Sequence, residues 1–197
     1  MDSPVLELMN SGLPPGAGDR LDEPRWLQDV CRRFGIPLPQ QVNAQELTSL
    51  RALRSVLRRL GTRVSDGAPP MPHELAYLNE ILGRAPVRPQ LFRTAGGLYG
   101  MELTPLEPGW SALMAEFAGH FARLLLISQP TRLKFCPSCD RAFYDATRGR
   151  KRIWCDGRTC GNRVRVQRFR DRSRPKARRG VSGTTSSPAA TRTRSTG

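Results

Sequence analysis

Four of the five cysteines in this 197-residue chain lie close together, within residues 136–160. The first pair, Cys136 and Cys139, is separated by Pro137 and Ser138, a spacing that is typical of zinc knuckles. Proline suits the second position of a tight turn, which lets both sulfurs point at one ion while backbone N–H groups stabilise the thiolates. The first pair therefore predicts half of a metal site.

The second pair, Cys155 and Cys160, has four residues between its members and needs a different backbone. On one continuous α-helix the two side chains would point about 140° apart, so they cannot both lie in mid-helix. A loop through Asp156 and Gly157, followed by a helix with Cys160 in its first turn, would bring both sulfurs to one ion. The helix N-terminus would also favour the negative charge of a thiolate.

One structural zinc ion is the cofactor that this set of four thiolates favours, because a closed tetrahedron leaves no open position for a metal-activated water. Disulfides, an iron–sulfur cluster and four unrelated buried cysteines are the alternatives, and a reducing cytosol disfavours the first of these. The module has few large apolar residues, so we expect the metal to serve as its core. The fifth cysteine, Cys31, falls on the apolar face of a predicted helix and is not expected to bind metal.

Charge divides the chain into two parts and a tail. The formal net charge is +15, yet residues 1–130 carry 13 basic and 13 acidic residues, whereas residues 131–179 carry 17 basic and four acidic residues. Residues 180–197 consist mainly of Gly, Ser, Thr, Pro and Ala, a composition that predicts disorder. We therefore predict a neutral body at 1–130, a basic module at 131–179 and a disordered tail at 180–197. The basic module makes polyanions the first partners to consider.

The basic residues of the module form a candidate nucleic-acid surface. From Arg158 to Arg179 the only acid is Asp171, and self-repulsion without a polyanion weakens the alternative that the run is merely a solvated face. Arginine suits phosphate oxygens and guanine edges, and a zinc-anchored basic helix suits the major groove of duplex DNA. The predicted contacts are Arg148, Arg150, Lys151, Arg152, Arg158, Arg163, Arg165, Arg168, Arg170 and Arg172.

Other residues of the module have expected structural roles, and two of them, Trp154 and Asn162, allow a second interpretation. Trp154 could stack on a base, but its place beside a cysteine favours a role in covering the zinc site. Asn162 could bond an adenine edge, but its place near a helix start favours a bond to the local backbone. Asp145 is expected to orient the turn at Thr147. Val164 and Phe169 are expected to pack on the rest of the module.

Periodicity of apolar residues predicts a mainly helical body. Residues 4–11 form a short apolar run that we interpret as a strand. Helices are predicted from Asp22 to Gly35, from Asn43 to Gly61, from Pro72 to Gly83 and from Trp110 to just before Pro130, and a β-hairpin is predicted over residues 90–106 with its turn at Gly96 and Gly97. The predicted fold class is α+β, with a mainly helical N-terminal domain and a small β-hairpin, then a small four-cysteine zinc finger made of a knuckle and a basic helix, and a disordered tail.

The sequence offers little for catalysis or for membrane insertion. It has two histidines, no Gly-rich phosphate loop and no local Ser/His/Asp arrangement, so we do not expect an enzyme. The most apolar segment, residues 110–128, contains Glu116, His120 and Arg123, which a bilayer span would disfavour. The first twenty residues contain no apolar run of signal-peptide length, so cytoplasmic localisation with nucleoid association is expected.

Residues 132–172 resemble the CGNR zinc-finger domain, whose name is the run of residues that stands here at 160–163. The match extends to Phe143, Asp145, Thr147, Arg148, Arg152, Trp154 and Cys155. The first cysteine pair departs from the family pattern, which usually has four residues between these cysteines, but the shorter turn still suits zinc. The resemblance implies an N-terminal α/β domain of the ABATE type, which the run Leu6–Asn10 and the helical layout resemble loosely. It also implies a bacterial, stress-responsive transcriptional regulator.

These observations favour a DNA-binding regulator. In this hypothesis the body senses a small-molecule ligand or mediates association, and the zinc finger delivers its basic helix to duplex DNA. Two alternatives belong to other classes of protein. One is an RNA-binding protein that uses the same module, and the other is an enzyme whose site is assembled in the body by folding. The target sequence, the ligand, the sign of regulation and the oligomeric state are not determined by the sequence.

Overall fold

The computed structural model describes residues 3–12, 18–127 and 130–173. The helices are α1 (Pro4–Asn10), α2 (Trp26–Phe34), α3 (Ala44–Ser65), α4 (Pro72–Gly83), α5 (Trp110–Ile127) and α6 (Asn162–Ser173), and the strands are β1 (Val87–Arg93), β2 (Tyr99–Pro105), β3 (Leu133–Phe135) and β4 (Ala142–Tyr144). The predicted α+β class, with a helical N-terminal part, a hairpin and a small cysteine module, is confirmed. The predicted tail at 180–197 and the basic residues from Arg174 onward lie outside the described residues.

Helix α5 lies at the centre of the body, as its apolar face predicts. Leu113, Phe117 and Phe121 recur at a spacing of four and are fully buried, and α1, α3 and α4 all pack against this helix. An apolar stripe at this spacing must be covered by other elements, which explains the central position. No helix in the described part of the chain is both long enough and apolar enough to cross a bilayer.

The N-terminal segment is a helix, so the predicted strand at residues 4–11 is wrong. Pro4 lies at the first helical position, where its fixed φ and missing N–H are tolerated. Val5, Leu8 and Met9 are fully buried, and their spacing of three and four places them on one face of a helix. A short apolar run does not distinguish a strand from a buried helix, and here packing against α3 and α5 decides the outcome.

Helix α3 begins at the predicted capping box. The Asn43 side chain accepts a hydrogen bond from the Glu46 N–H at 2.9 Å, and the Glu46 carboxylate accepts one from the Asn43 N–H at 2.8 Å. This reciprocal pairing satisfies two of the donors that a helix start leaves free. The sequence prediction of the N-terminus of α3 is therefore confirmed.

The predicted end of α3 at Gly61 is wrong, because the helix continues to Ser65. A Cβ atom at Gly61 would lie 3.0 to 3.2 Å from side-chain atoms of Met9, Leu133 and Phe135. The glycine therefore allows a close approach between α3, α1 and β3, and it does not mark a helix end. The tertiary contact stabilises a residue that is unfavourable in mid-helix by about 1 kcal/mol.

Helix α4 has the predicted bounds, but its buried face is shifted. The spacing of its leucines predicts that Leu75, Leu78 and Leu82 are buried. Leu78 is buried and Leu82 is half-buried, whereas Leu75 is exposed and Ile81 is buried in the core. The one-sided burial of α4 follows from its packing against α5. The sequence pattern did not distinguish Leu75 from Ile81.

The hairpin β1–β2 projects from the body, and we call residues 87–105 the arm. Its strands pair antiparallel with Arg93 opposite Tyr99, and Gly97 has a φ of 81° in the predicted turn. The Phe92 ring lies over Gly100, where a Cβ atom would come within 2.6 Å of it. Strand β1 is exposed along its whole length, so the arm does not pack on the body as a sheet face would.

A partly buried ion cluster ties the loop before α2 to α3. The Asp19 carboxylate accepts hydrogen bonds from Arg54 at 2.7 and 2.6 Å, from Arg51 at 3.2 Å and from the Leu21 N–H at 3.0 Å. Burial alone would raise the pKa of Asp19, but the bonds from Arg54, Leu21 and Arg51 lower it to about 2. Asp19 therefore stays ionised and stabilises the fold at neutral pH.

The cysteine module is docked on the body through β3 and β4. Leu133 and Ala142 belong to the same buried apolar cluster as the helices of the body. The Asn10 side chain accepts a hydrogen bond from the Ala142 N–H at 2.8 Å and donates one to the Ala142 carbonyl at 2.9 Å. Arg58 donates to the Asp140 carbonyl at 3.0 Å and to its carboxylate at 2.5 Å. Apolar packing and paired polar contacts thus hold the module in one position.

Candidate metal centre and basic surface

The four predicted cysteines converge on one point. The Sγ–Sγ distances are 3.5 Å for Cys139 and Cys155, 3.6 Å for Cys155 and Cys160, and 3.5 Å for Cys139 and Cys160. The Sγ atom of Cys136 completes a set in which all sulfurs lie within 4.8 Å of one another. A tetrahedral zinc ion with Zn–S bonds of about 2.3 Å requires sulfurs about 3.8 Å apart, so the donor set fits zinc.

A tight turn positions the first two sulfurs. The Cys139 N–H donates to the Cys136 carbonyl at 3.3 Å and the Asp140 N–H donates to the same carbonyl at 2.7 Å. Pro137 therefore lies at the second position of the turn, as predicted. Asp140 has a φ of 56°, a left-handed conformation that aspartate tolerates better than most residues. This conformation reverses the chain, and β4 then pairs with β3.

A capped turn positions the last two sulfurs. The Asp156 carboxylate accepts hydrogen bonds from the N–H groups of Arg158 at 2.7 Å and Thr159 at 3.4 Å. One π-helical turn at Gly157–Gly161 then leads into α6, so Cys160 lies in the turn that begins the helix. This is the predicted loop followed by a helix, with a wider first turn than an α-helix has.

Trp154 covers the cluster from the side of Gly161. Its ring packs against the buried group formed by Cys136, Phe143 and Cys160. A Cβ atom at Gly161 would lie 3.1 Å from the Trp154 ring, so a larger residue there would push the ring away from the sulfurs. The glycine of the CGNR run therefore has a packing role beside the metal centre.

The thiol groups of the cluster differ in pKa, with one lowered and two raised from the ordinary value. Burial alone would raise the pKa of Cys136, but the backbone N–H groups of Cys155, Ser138 and Cys139 lower it to about 7. Burial, together with the neighbouring sulfurs, raises the pKa values of Cys139 and Cys155. Deprotonation of the whole set at neutral pH therefore requires the positive charge of a metal ion, which couples zinc binding to proton release.

A buried carboxylate shapes the chain between β4 and Trp154, and we call residues 147–152 the basic loop. Asp145 is fully buried and accepts hydrogen bonds from Lys134 at 2.8 Å, from the N–H and hydroxyl of Thr147 at 3.0 and 2.6 Å, and from the Arg152 N–H at 3.0 Å. Burial alone would raise the pKa of Asp145, but these bonds hold it well below its usual range. Asp145 therefore orients the turn at Thr147 and also the far end of the loop.

Lys134 is a structural residue that the sequence did not reveal. Besides its ion pair with Asp145, its ammonium group donates to the carbonyls of Arg150 at 2.6 Å and Arg152 at 3.0 Å. It lies in β3 between the apolar residues Leu133 and Phe135. This alternation of apolar and polar residues was the sequence signal that could have identified a lysine facing away from the core. The Lys134–Asp145 pair, in which the carboxylate is fully buried and the lysine side chain is 23% exposed, thus anchors the basic loop.

The structure places Arg152 differently from the other predicted contact residues. Its guanidinium donates to the carbonyls of Trp154 and Cys155 and lies over the Phe143 ring, 5.1 Å from its centroid. These contacts use the side chain to hold the chain that leads to the second cysteine pair. Arg148, Arg150 and Lys151 are exposed on the loop.

Helix α6 presents its basic residues to solvent. The five predicted arginines of this helix are exposed, and none of them forms an ion pair with any residue that the structure describes. Val164 is half-buried, but Phe169 is 64% exposed, so the prediction that both residues pack on the module is wrong for Phe169. The five are Arg163, Arg165, Arg168, Arg170 and Arg172.

A shallow depression lies between the metal centre and the start of α6. Arg158, Asn162 and Arg165 line it together with Cys155. The Asn162 side chain is exposed and bonds to no backbone group within residues 3–12, 18–127 and 130–173, contrary to the favoured interpretation. The fifth cysteine, Cys31, is buried in the body, where burial raises its pKa to about 11, and it takes no part in the cluster.

Comparison with known protein families agrees with this arrangement. A family model named ABATE and described as "Putative stress-induced transcription regulator" matches residues 2–126. A second model, the CGNR zinc finger, matches residues 132–179, the segment that contains the four sulfurs and the basic helix. No curated protein matches the chain. Since the first model alone spans well over half of the 197 residues, the chain belongs to the ABATE family and carries a CGNR zinc finger after its ABATE domain.

Proposed function

We propose that this protein is a zinc-dependent DNA-binding transcriptional regulator. In the proposal, zinc shapes the finger, α6 contacts duplex DNA, and the body either senses a ligand or mediates association. The family description supports the regulatory part. The observation that supports DNA binding most directly is the row of exposed, unpaired arginines on α6.

The acids of the module form no ion pair with these arginines, and three of the four acids are engaged elsewhere. Asp140 pairs with Arg58 of the body, Asp145 is buried, and Asp156 caps the turn before α6. Asp171 lies on α6 itself and accepts a hydrogen bond from the neutral Gln167 at 3.0 Å, so its charge offsets one of the five arginines. The remaining positive charge on α6 therefore attracts a polyanion, since the other acids of the described module are engaged elsewhere.

The distribution of side chains around α6 suits a major groove. At about 100° per residue, the arginines fall on two sides of the helix, and Val166 and Phe169 form a narrow stripe between these sides. Half-buried Val164 lies roughly opposite, so the stripe faces away from the finger. In a groove, the two rows would reach phosphates on both walls while the stripe met base edges such as thymine methyl groups. One row is Arg165, Arg168 and Arg172, and the other is Arg163 and Arg170.

The flanking basic residues extend this surface. Arg158 and Arg165 share the depression beside the metal centre, and both suit a phosphate group. Arg148, Arg150 and Lys151 lie on the loop that Asp145 and Lys134 hold in place. We propose these residues as backbone contacts, which would fix position on the duplex without selecting sequence. In the proposal the protein acts in the cytoplasm on the nucleoid and has no catalytic role.

Fluorescence anisotropy of labelled duplexes tests the proposal. Zinc-loaded protein is titrated against duplex DNA and against duplex RNA of the same sequence at several salt concentrations. If about five phosphates are neutralised, the slope of log K against log salt should be roughly −4.5 for DNA. A quadruple variant with Gln at Arg163, Arg165, Arg168 and Arg170 should nearly abolish binding while retaining its zinc.

A charge-matched control separates specific contacts from net charge. It replaces four exposed arginines of the body by Gln, and it should bind DNA with an affinity close to that of the unmodified protein. Unchanged affinity in the zinc-replete α6 variant would exclude this helix as the contact surface. Tighter binding of duplex RNA than of DNA would replace the proposal with the RNA-binding alternative. The control residues are Arg25, Arg32, Arg84 and Arg88.

A further inference from the structure

The arm has one apolar face that nothing described in the structure covers. The register places Val87, Leu91, Tyr99, Met101 and Leu103 on the same face of the hairpin, together with two prolines and, opposite Tyr99, one charged residue, Arg93. The far half of the arm is the most open, since Leu91 and Tyr99 are each 79% exposed and Met101 is 63% exposed. An isolated two-stranded hairpin is marginally stable in water, so such an arm needs a partner surface.

An apolar groove lies beside the base of the arm, on the outer side of α5. Its volume is about 270 Å³, and its lining is mostly apolar, although Glu116 and Arg123 also line it. Leu82 of α4 and Ala115, Ala122 and Leu126 of α5 form its floor and wall, and Leu126 is 84% exposed. The near end of the arm contributes Leu103 to the same groove. The arm and the groove therefore form one continuous apolar surface with a projecting part and a concave part.

The size of this surface matches one half of a protein interface. The whole-residue exposed fractions of the five arm residues and Leu126 correspond to roughly 700 to 800 Å² on one copy, which is the most that a partner could cover at these six residues. A standard interface takes about that area from each partner, whereas a solvent-exposed apolar patch on a monomer is usually only a few hundred Å². Full burial of this surface would give an interface of standard size.

We propose that the occupant of this surface is a second copy of the chain, with the arm of each copy lying in the α5 groove of the other. A twofold axis makes the projecting part of each copy meet the concave part of its partner, so both are buried in one self-complementary contact. The apolar lining argues against a nucleic acid, for which the basic surface of the finger is suited. This inference concerns the body and is independent of what the finger binds.

Sedimentation velocity of full-length, zinc-loaded protein tests the inference. The unmodified protein should sediment as a species of twice the chain mass of 22.0 kDa. Leu91→Lys and Ala122→Glu place a charge in the arm face and in the groove, and each should raise the dimer dissociation constant at least about 100-fold, which is about 2.7 kcal/mol or more. Gln90→Lys is the matched control, because Gln90 is exposed on the opposite face of the same strand. It should leave the dimer unchanged.

Mixing the two variants distinguishes an arm in a groove from a contact between two arms. An equimolar mixture of Leu91→Lys and Ala122→Glu should form heterodimers, because one contact is unaltered and the other pairs Lys with Glu. Circular dichroism and zinc content verify that each variant is folded. A monomeric unmodified protein, a dimer that tolerates Leu91→Lys, or a mixture that stays monomeric would each overturn the proposal.

Discussion

Replacing Asp145 by Asn should weaken zinc binding although Asp145 is not a metal ligand. The carboxylate is fully buried and accepts four hydrogen bonds, including the ion pair with Lys134. An amide in its place can still accept from Thr147 through its oxygen. Its NH₂ group, however, would face the Lys134 ammonium and the Arg152 N–H, which are also donors. The substitution therefore leaves a partly buried ammonium group with its two carbonyl acceptors but without its charge partner.

Breaking a fully buried ion pair on one side costs about 3 to 5 kcal/mol, and because the Lys134 side chain is 23% exposed we expect the lower end of this range, about 3 kcal/mol. Because folding of a small zinc module is coupled to metal binding, this cost should be expressed in the apparent zinc affinity. At about 1.4 kcal/mol per tenfold change, zinc affinity should fall roughly 100-fold. Competition with a chromophoric zinc chelator at pH 7 measures the change directly.

Asp156→Asn is the matched control in the same module. Asp156 is exposed and caps the turn before α6, and asparagine caps a helix about as well as aspartate. Its zinc affinity should stay within about threefold of the unmodified protein. A zinc affinity for Asp145→Asn within the same range would refute the argument that the Lys134–Asp145 pair stabilises the finger.

Three further predictions concern the metal set, the docked module and the acid stability. Cys155→Ala should lose zinc by metal analysis while Cys31→Ala retains it, and equal zinc in both variants would contradict the ligand assignment. Leu133→Ala should lower the free energy of unfolding, measured in urea, by about 2 to 5 kcal/mol, because it leaves a cavity in the shared core. A fragment of residues 1–130 should unfold cooperatively but at a lower temperature than the full chain. A fragment as stable as the full chain would show that docking of the module contributes nothing to stability. Asp19→Asn should lower the free energy of unfolding by about 1 to 2 kcal/mol at pH 7, since the folded-state pKa of Asp19, about 2, lies below the unfolded value. The difference in stability between the variant and the unmodified protein should be present above about pH 4 and vanish as the pH falls through 2. A difference that persists at pH 2 would contradict the ionic origin.

Local sequence determined the elements whose residues carry their own signals. The capping box at Asn43 and Glu46, the glycine pair of the arm turn and the four-residue spacing along α5 each specify a backbone conformation within a few residues, and all three are observed. The metal centre was predictable for the same reason, because cysteine spacing and thiolate chemistry limit the geometries that can hold one ion. Charge counting located the basic module, since composition does not depend on the fold.

Tertiary structure decided the features that depend on distant neighbours. Residues 4–11 became a helix because α3 and α5 bury one helical face, and Gly61 continued α3 because β3 approaches it closely. The same contacts determined how the two parts are joined, through Leu133 in the shared core. Lys134 was unrecognised because its role depends on a carboxylate eleven residues away. Spacing and composition determine which residues share a local face, whereas long-range packing determines what each face meets, and no local pattern encodes that partner.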